Sequence, residues 1–245
     1  MRTPQDAIAD ILQHITPLQD VEKVPLTEAC GRVLASEVRS DVDLPPFEKA
    51  MMDGIALGSA DSADGDWSLE LIGESRAGVG FDGELQPGQA IRIYTGAELC
   101  AGADAVVMVE RTREEAGRIH SSGLVPAGQH VSHKAEILGI GRTVLSPHRR
   151  IDAIDLTLLA AVGADPVEVF RRPRITVLTT GDELVAPSAV PGPGQIREGN
   201  TIFLAAAATA ASPGCCLLEV GIVPDDPEEL KARFERALTE GDALV

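Results

Sequence analysis

The chain has 245 residues, of which 44% are hydrophobic and only 3% aromatic, and its formal net charge is -17 at pH 7. This composition predicts a globular protein with an aliphatic core, in one large or two to three small domains. The negative charge argues against nucleic acid and anionic membrane surfaces as partners, and no apolar run reaches the roughly 18 residues that could span a bilayer.

The N-terminal segment, residues 1–43, is predicted to be helical. Thr3 can cap a helix with Pro4 in its first turn, and a second capped segment begins at Thr27. Four apolar residues of the first helix share one face and are expected to be buried: Ile8, Ile11, Leu12 and Ile15. The acidic N-terminus is unlike a signal peptide. The four cysteines lack a metal-binding spacing, so we expect buried or half-buried thiols in a reducing cytoplasm.

A small β domain, residues 44–144, is predicted to be inserted into this helical part. The two prolines of Asp43–Phe47 exclude a helix, and short alternating runs separated by turns follow. These runs are Ser68–Glu74, Ala90–Thr95 and Ala105–Glu110. Residues 145–171 return to a helix capped by Asp152, followed by a short strand.

The last part, residues 172–245, alternates strands with helices and predicts an open α/β sheet. An apolar, β-branched run within Arg174–Leu184 is typical of a buried parallel strand. The elements that follow are a helix over Asn200–Ala211, a strand over Cys215–Ile222, a helix over Pro227–Leu238 and a strand from Ala243. The chain thus stops after the second helix of this domain.

Polar residues follow the first parallel strand, at the edge where α/β sheets bind ligands. They are Thr180, Gly181, Asp182 and Glu183. The Glu183 carboxylate either caps the next turn or accepts two side-by-side hydrogen bonds, which would match the edge of a pterin or guanine. After the second strand, Asp226 is expected to cap the next helix, which leaves Asp225 free to bind a hard cation.

Two further constellations lie in the β domain, and each has two readings. Asp53-Gly54 is either an ordinary turn pair or presents a carboxylate to a ligand or metal. The Thr95-Gly96 pair is either part of a strand–turn–strand connection or contacts an oxyanion through a hydroxyl and a backbone N–H.

Taken together, five ordered motifs resemble the molybdopterin molybdenumtransferase family, and eukaryotic gephyrin carries a similar domain. The motifs lie within Asp43–Gly54, Thr95–Glu110, Arg172–Leu184, Gly194–Asn200 and Gly221–Leu230. The resemblance implies a three-layer α/β domain that binds the pterin. It also implies insertion of molybdate into adenylylated molybdopterin, with release of AMP and with Mg²⁺ as the divalent cation.

The resemblance also implies an elongated homodimer with its cleft between domains of two subunits, and molybdopterin adenylyltransferase as a partner. Functional side chains fall on Asp53, Thr95, Glu183 and Asp225, with Asp53 and Asp225 as catalytic residues and metal ligands. We expect the substrate site to include Gly96, Thr180, Gly181, Asp182 and Asn200.

Residues 132–137 depart from the family, which has arginines followed by Gly-Glu-Asp here. The family's functional aspartate falls on Ile137. The adjacent Glu136 is expected to replace it as a catalytic residue, although its side chain should leave a strand on the opposite face. The family also continues past Val245 with a loop that grips the pterin phosphate. The alternative is therefore a divergent, non-catalytic paralogue that binds molybdopterin or a protein partner.

Overall fold

A computed structural model describes residues 3–63 and 65–245, so two residues of the predicted helical segment, Met1 and Arg2, lie outside it. The helices are α1 (Pro4–His14), α2 (Leu26–Ala29), α3 (Ala153–Ala161), α4 (Asn200–Ala211) and α5 (Pro227–Glu240). The strands are β1 (Val21–Val24), β2 (Val38–Arg39), β3 (Lys49–Ala50), β4 (Gly54–Leu57), β5 (Asp66–Ser75), β6 (Gln89–Ile93), β7 (Ala105–Met108), β8 (Arg113–Glu115), β9 (Arg118–Ser122), β10 (Val131–Ser132), β11 (Thr143–Leu145), β12 (Val167–Phe170), β13 (Arg174–Thr180), β14 (Leu184–Val185), β15 (Ile196–Arg197), β16 (Cys216–Val223) and β17 (Ala243–Leu244).

The chain divides into two compact units, which we call the β unit (Arg39–Val144) and the α/β unit (Met1–Val38 with Leu145–Val245). The β unit contains a six-stranded sheet in the order β7-β4-β6-β5-β9-β8. Strand β4 is buried along its whole length, because Ala56 enters one apolar cluster while Ile55 and Leu57 enter another. Alternating side chains thus build a core on both faces of the sheet. The predicted all-β insertion is confirmed.

The α/β unit is built on β13, which lies between two parallel neighbours in the order β16-β13-β17. Val177 in β13 is fully buried, as the apolar run predicted. Helix α4 packs on β13 and β16, and α5 packs on β17 and β13. The connection through α4 leads to β16 on one side of β13, and the connection through α5 leads to β17 on the other side. Because such crossovers are right-handed, the two helices lie on opposite faces of the sheet. The result is a three-layer α/β arrangement. The predicted fold class is confirmed.

Two predictions for the N-terminal helices are wrong. Helix α1 begins as expected, with a reciprocal Thr3–Asp6 capping box. However, no side chain in the described part of α1 is buried, because its apolar face lies open to solvent; Ile11 is 58% and Leu12 65% exposed. Thr27 is not a cap, because α2 begins at Leu26, whose N–H donates to the distant carboxylate of Asp165 (3.1 Å).

The cysteines are free thiols, but the expectation that all four are buried or half-buried is wrong. Cys100 is buried, and burial raises the pKa of its thiol. Cys30 lies exposed just after α2, and Cys216 lies exposed at the start of β16, which is an edge strand. Among the helices of residues 3–63 and 65–245, none is long and apolar enough to cross a membrane.

Candidate functional site

Asp53 is held by the backbone and hydroxyl of Thr95 in the β unit. It lies in the turn before β4, and its Oδ1 accepts hydrogen bonds from the Thr95 N–H (2.7 Å) and the Thr95 hydroxyl (2.7 Å). The backbone bond first, and then the hydroxyl bond, hold the pKa of Asp53 below its ordinary value. The side chain is therefore an exposed, ionised carboxylate whose Oδ2 is not used by Thr95.

The Asp53-Gly54 pair is not an ordinary turn, because Gly54 is required for close packing. A Cβ atom at Gly54 would lie 2.0 Å from the backbone oxygen of Val107, which belongs to the neighbouring strand β7. The glycine thus lets two strands approach closely beside Asp53. The adjoining recess of about 270 Å³ is lined by Met52, Asp53, Thr95, Met108 and Glu110.

The Gly96 N–H already donates a hydrogen bond within the protein, which argues against its predicted contact with an oxyanion. It donates to the Ala50 backbone oxygen (2.9 Å), and the Thr95 N–H and hydroxyl are both directed to Asp53. A second recess, of about 280 Å³, adjoins Thr95 and Gly96 and is also lined by Lys49 and Ser132. Among the groups lining this recess, the Lys49 ammonium carries the positive charge that an oxyanion needs.

Glu136 lies in a turn, so the expectation that it leaves a strand on the opposite face is wrong. Strand β10 ends at Ser132, and residues 133–137 form no strand. The Glu136 Oε2 accepts hydrogen bonds from the Ser132 hydroxyl (2.8 Å) and from the His133 N–H (3.1 Å). The carboxylate therefore stabilises the turn, while the neighbouring Ile137 side chain is 73% exposed.

In the α/β unit, the end of β13 presents the Thr180–Glu183 residues. Thr179 and Thr180 still belong to the strand, and Gly181 follows with a φ angle of +148°. The Glu183 carboxylate folds back over this glycine, so a Cβ atom at position 181 would lie 2.6 Å from Glu183 Oε2. Glu183 itself is exposed. The glycine thus gives the carboxylate its place beside the strand end.

The loops after β13 and β16 are joined by Asp182. Its Oδ1 accepts a hydrogen bond from the backbone N–H of Asp225 (3.1 Å). The next residue, Asp226, caps α5 by accepting from the N–H groups of Glu228 (3.1 Å) and Glu229 (2.9 Å), as predicted. The Asp225 side chain is exposed and makes no hydrogen bond or ion pair within the described residues.

The sequence reasoning missed Glu198, a buried acid beside Asn200. Burial alone would raise the pKa of Glu198, but hydrogen bonds led by the Thr201 side chain outweigh burial and lower it. Gly199 at the N-cap position of α4 has no side chain, and this absent cap was the signal that a neighbouring acid serves the helix.

The structure places the predicted site residues in two groups. The β unit holds Asp53, Thr95, Gly96 and Glu136, whereas the α/β unit holds Thr180, Gly181, Asp182, Glu183, Asn200 and Asp225. Asp53 contacts Thr95, and Asp182 contacts Asp225. Glu136 contacts its own turn. Within the described ranges, no three His, Cys, Asp or Glu side chains converge as metal ligands.

Comparisons with known proteins identify both parts of the chain. Residues 2–163 match the family described as "MoeA N-terminal region (domain I and II)", and residues 176–245 match the family described as "Probable molybdopterin binding domain". Curated relatives include molybdopterin molybdenumtransferases from Nostoc sp., 35% identical over 100% of this chain and 57% of the relative, and from Haemophilus influenzae, 30% identical over 100% and 60%.

A solved structure agrees with this match. The crystal structure of the molybdopterin biosynthesis moeA protein from Pyrococcus horikoshii OT3 is 32% identical and has a TM-score of 0.90. The match covers 98% of this chain and 64% of that protein. The chain therefore spans about three fifths of the length of these relatives.

Proposed function

The chain belongs to the MoeA family of molybdopterin molybdenumtransferases, and from this premise we propose that it acts in molybdenum cofactor biosynthesis in the cytoplasm. The reaction is insertion of molybdate into adenylylated molybdopterin with release of AMP. The observation that carries the proposal is the exposed Glu183 carboxylate, which is seated over Gly181 at the carboxyl end of β13. This is the edge of an α/β sheet that binds ligands.

Glu183 recognises the pterin through the paired acceptors of its carboxylate, which suit an amino group beside a ring N–H. Thr180, Gly181, Asp182 and Asn200 complete this edge. Of these, Asp182 acts indirectly, because its carboxylate holds the Asp225 backbone.

Asp53 and Asp225 are the residues that would hold the divalent cation. Asp53 is ionised with one oxygen not used by Thr95, and the Asp225 carboxylate is exposed. Such oxygen donors fit Mg²⁺, which prefers one or two carboxylates and takes further ligands from water and substrate phosphates. When bound, Mg²⁺ would neutralise charge on the phosphate of the substrate.

One observation supports a homodimer as the active form. The apolar face of α1 is exposed, including Ile11 and Leu12. An apolar helix face gains free energy when a partner covers it. The test measures the molecular mass in solution, by scattering, of the full-length gene product and of its Ile11→Asp variant. A monomeric mass of the unmodified protein at every concentration would contradict the dimer.

The central experiment is Glu183→Ala in the full-length gene product. We expect the dissociation constant for adenylylated molybdopterin to rise while the melting temperature stays nearly unchanged, because an exposed carboxylate rarely contributes more than about 1 kcal/mol to folding. Glu28→Ala, which removes an exposed carboxylate from α2, is the control and should leave affinity unchanged. Loss of stability with retained affinity would make Glu183 a structural residue.

Molybdopterin adenylyltransferase is the proposed partner that supplies the substrate.

A second candidate function, a non-catalytic molybdopterin-binding paralogue, is favoured by the turn at residues 132–137. Its Glu136 carboxylate is used by Ser132 and His133, and Ile137 carries no charge. A lost charged active-site contact costs about 10²–10³ in rate, so we expect weak turnover with retained pterin binding.

Ile137→Asp in the full-length product tests this second candidate. We expect the change to raise cofactor formation by up to about 10²-fold and to leave pterin affinity unchanged. An unmodified protein that turns over at a rate typical of the family, and loses activity with Ile137→Asp, would show that another group supplies this function.

A further inference from the structure

Glu198 is a buried carboxylate to which the proposed function gives no role. Its side chain is 5% exposed, and it lies between β15 and α4. Its backbone N–H donates to the Val185 oxygen (2.9 Å), which extends the parallel pairing of β14 with β15. A buried charge is unfavourable unless it is fully hydrogen-bonded, so the partners of this carboxylate define what it does.

The first group of partners is the start of α4. Glu198 Oε1 accepts a hydrogen bond from the Thr201 N–H (2.8 Å), and Oε2 accepts one from the Thr201 hydroxyl. The Asn200 N–H also helps to lower the pKa of this carboxyl. These are N–H groups of the first turn, which have no partner within a helix. Glu198 therefore caps α4 in place of Gly199 and compensates the positive end of the helix dipole.

The carboxylate also faces the end of β13. The Thr179 hydroxyl is buried and, among the described residues, has no partner at full hydrogen-bond geometry. It nevertheless lies close enough to Glu198 to help lower the pKa of that carboxyl. Thr179 directly precedes Thr180, and Asn200 begins α4. One buried carboxylate thus faces the two elements that present Thr180 and Asn200.

We propose that Glu198 is a positioning residue for ligand recognition: it holds the start of α4 against the end of β13 and thereby sets Asn200 relative to Thr180. This inference rests on the proposed function, because it concerns the same crevice. The proposal requires the negative charge, since the Thr201, Asn200 and Thr179 groups that lower the pKa of the carboxyl are all donors. A glutamine would replace one acceptor oxygen with an NH₂ group directed at the donors of Thr201.

The test compares Glu198→Gln with Asp152→Asn in the full-length gene product. Asp152 caps α3 in the same manner, by accepting from the N–H groups of Ile154 (2.8 Å) and Asp155 (2.9 Å), and is the matched control. We expect Glu198→Gln to weaken binding of adenylylated molybdopterin by about tenfold or more. Asp152→Asn should lower the melting temperature without changing affinity. Glu198→Asp keeps the charge and should restore part of the affinity.

The outcomes separate a positioning residue from a simple helix cap. Equal losses of melting temperature in Glu198→Gln and Asp152→Asn, with unchanged affinity in both, would overturn the inference. If Glu198→Gln does not fold, Thr201→Val decides, because it removes one donor and keeps the charge and the backbone bonds. Weaker binding by Thr201→Val supports positioning, and unchanged binding overturns it. Failure of the unmodified protein to bind would instead refute the proposed function.

Discussion

The two units hold their candidate site residues by different means. In the β unit, Asp53 precedes a strand that is buried along its whole length, between apolar clusters on both faces of the sheet. In the α/β unit, the central strand β13 is buried only over Thr176–Leu178, and β16 leaves Leu218 and Val220 38% and 44% exposed. The loops of this unit are instead joined by carboxylates, of which Asp182 and Glu198 are examples. Packing thus fixes the candidate site residues of the β unit, whereas hydrogen-bonded acids fix those of the α/β unit.

This difference predicts opposite sensitivities. Close-packed interiors do not yield to added volume, so small steric changes near Asp53 should destabilise the β unit strongly. Carboxylates lose their stabilising effect when they are protonated, so the α/β unit should respond to acid. Substitutions in the two units test this contrast, and their expected effects on the unfolding free energy range from large to small.

Gly54→Ala should be the most destabilising change. The new methyl group would lie 2.0 Å from the Val107 oxygen, in a strand paired on both sides, and neither backbone can move without disrupting the sheet. We expect a loss of about 3 kcal/mol or more, in the range of severe overpacking, measured by denaturant unfolding.

Gly221→Ala is the matched control, because Gly221 also lies in a strand, in the α/β unit, and a Cβ atom there would meet nothing within 4 Å. We expect a change within about 0.5 to 1 kcal/mol in either direction. Equal losses at Gly54 and Gly221 would contradict the claim that packing distinguishes the two units.

Asp242→Asn should have the next largest effect. In the α/β unit, Asp242 accepts two hydrogen bonds from Arg171 (2.6 and 2.7 Å) and one from the Arg174 N–H (2.7 Å). The Arg171 bonds first, and the Arg174 N–H further, lower the pKa of Asp242 from 3.8 to about 2 despite burial. A shift of this size corresponds to about 2 to 3 kcal/mol of stability at pH 7.

The sign of the pH dependence follows from the lowered pKa. The contribution of Asp242 is complete above its unfolded-state pKa near 3.8, and it is lost as the pH falls through about 2. The difference in unfolding free energy between the unmodified protein and Asp242→Asn should therefore shrink between about pH 4 and pH 2. Asp20→Asn is the control, because Asp20 contacts the same arginine but is 69% exposed. It should change stability by less than about 1 kcal/mol.

The sequence predicted the elements of both units because their signals are local. Asp152 and Asp226 cap the helices that follow them, and alternating apolar residues mark β5 and β6. The parallel sheet of the α/β unit also follows from a pattern, since Ile175–Leu178 in β13 form an apolar, β-branched run between polar ends.

The errors and omissions concern contacts between residues that are distant in sequence or folded into turns. Thr27 was expected to cap α2, but the carboxylate of Asp165, which lies 139 residues from Leu26, accepts the hydrogen bond from the Leu26 N–H. An amphipathic pattern could not show that the apolar face of α1 remains exposed in the described structure. Glu136 was placed on a strand that ends four residues earlier. The partners of Glu198 become evident only when β13 and α4 are folded together.

Thr95→Val should have the smallest effect on stability and the clearest effect on one ionisable group. It removes the hydroxyl bond to Asp53 and keeps the stronger contribution of the backbone N–H, so the pKa of Asp53 should rise part of the way to its ordinary value. Because both side chains are exposed, the melting temperature at pH 7 should hardly change. Carboxyl resonances followed by NMR titration measure the shift, with Thr112→Val, which removes a hydroxyl bond to the Val109 oxygen, as the control. An unchanged Asp53 pKa would show that the backbone alone sets its ionisation. A large fall in melting temperature would show that the Asp53–Thr95 contact supports the packed strands, and the contrast between a packed unit and exposed site groups would then not hold.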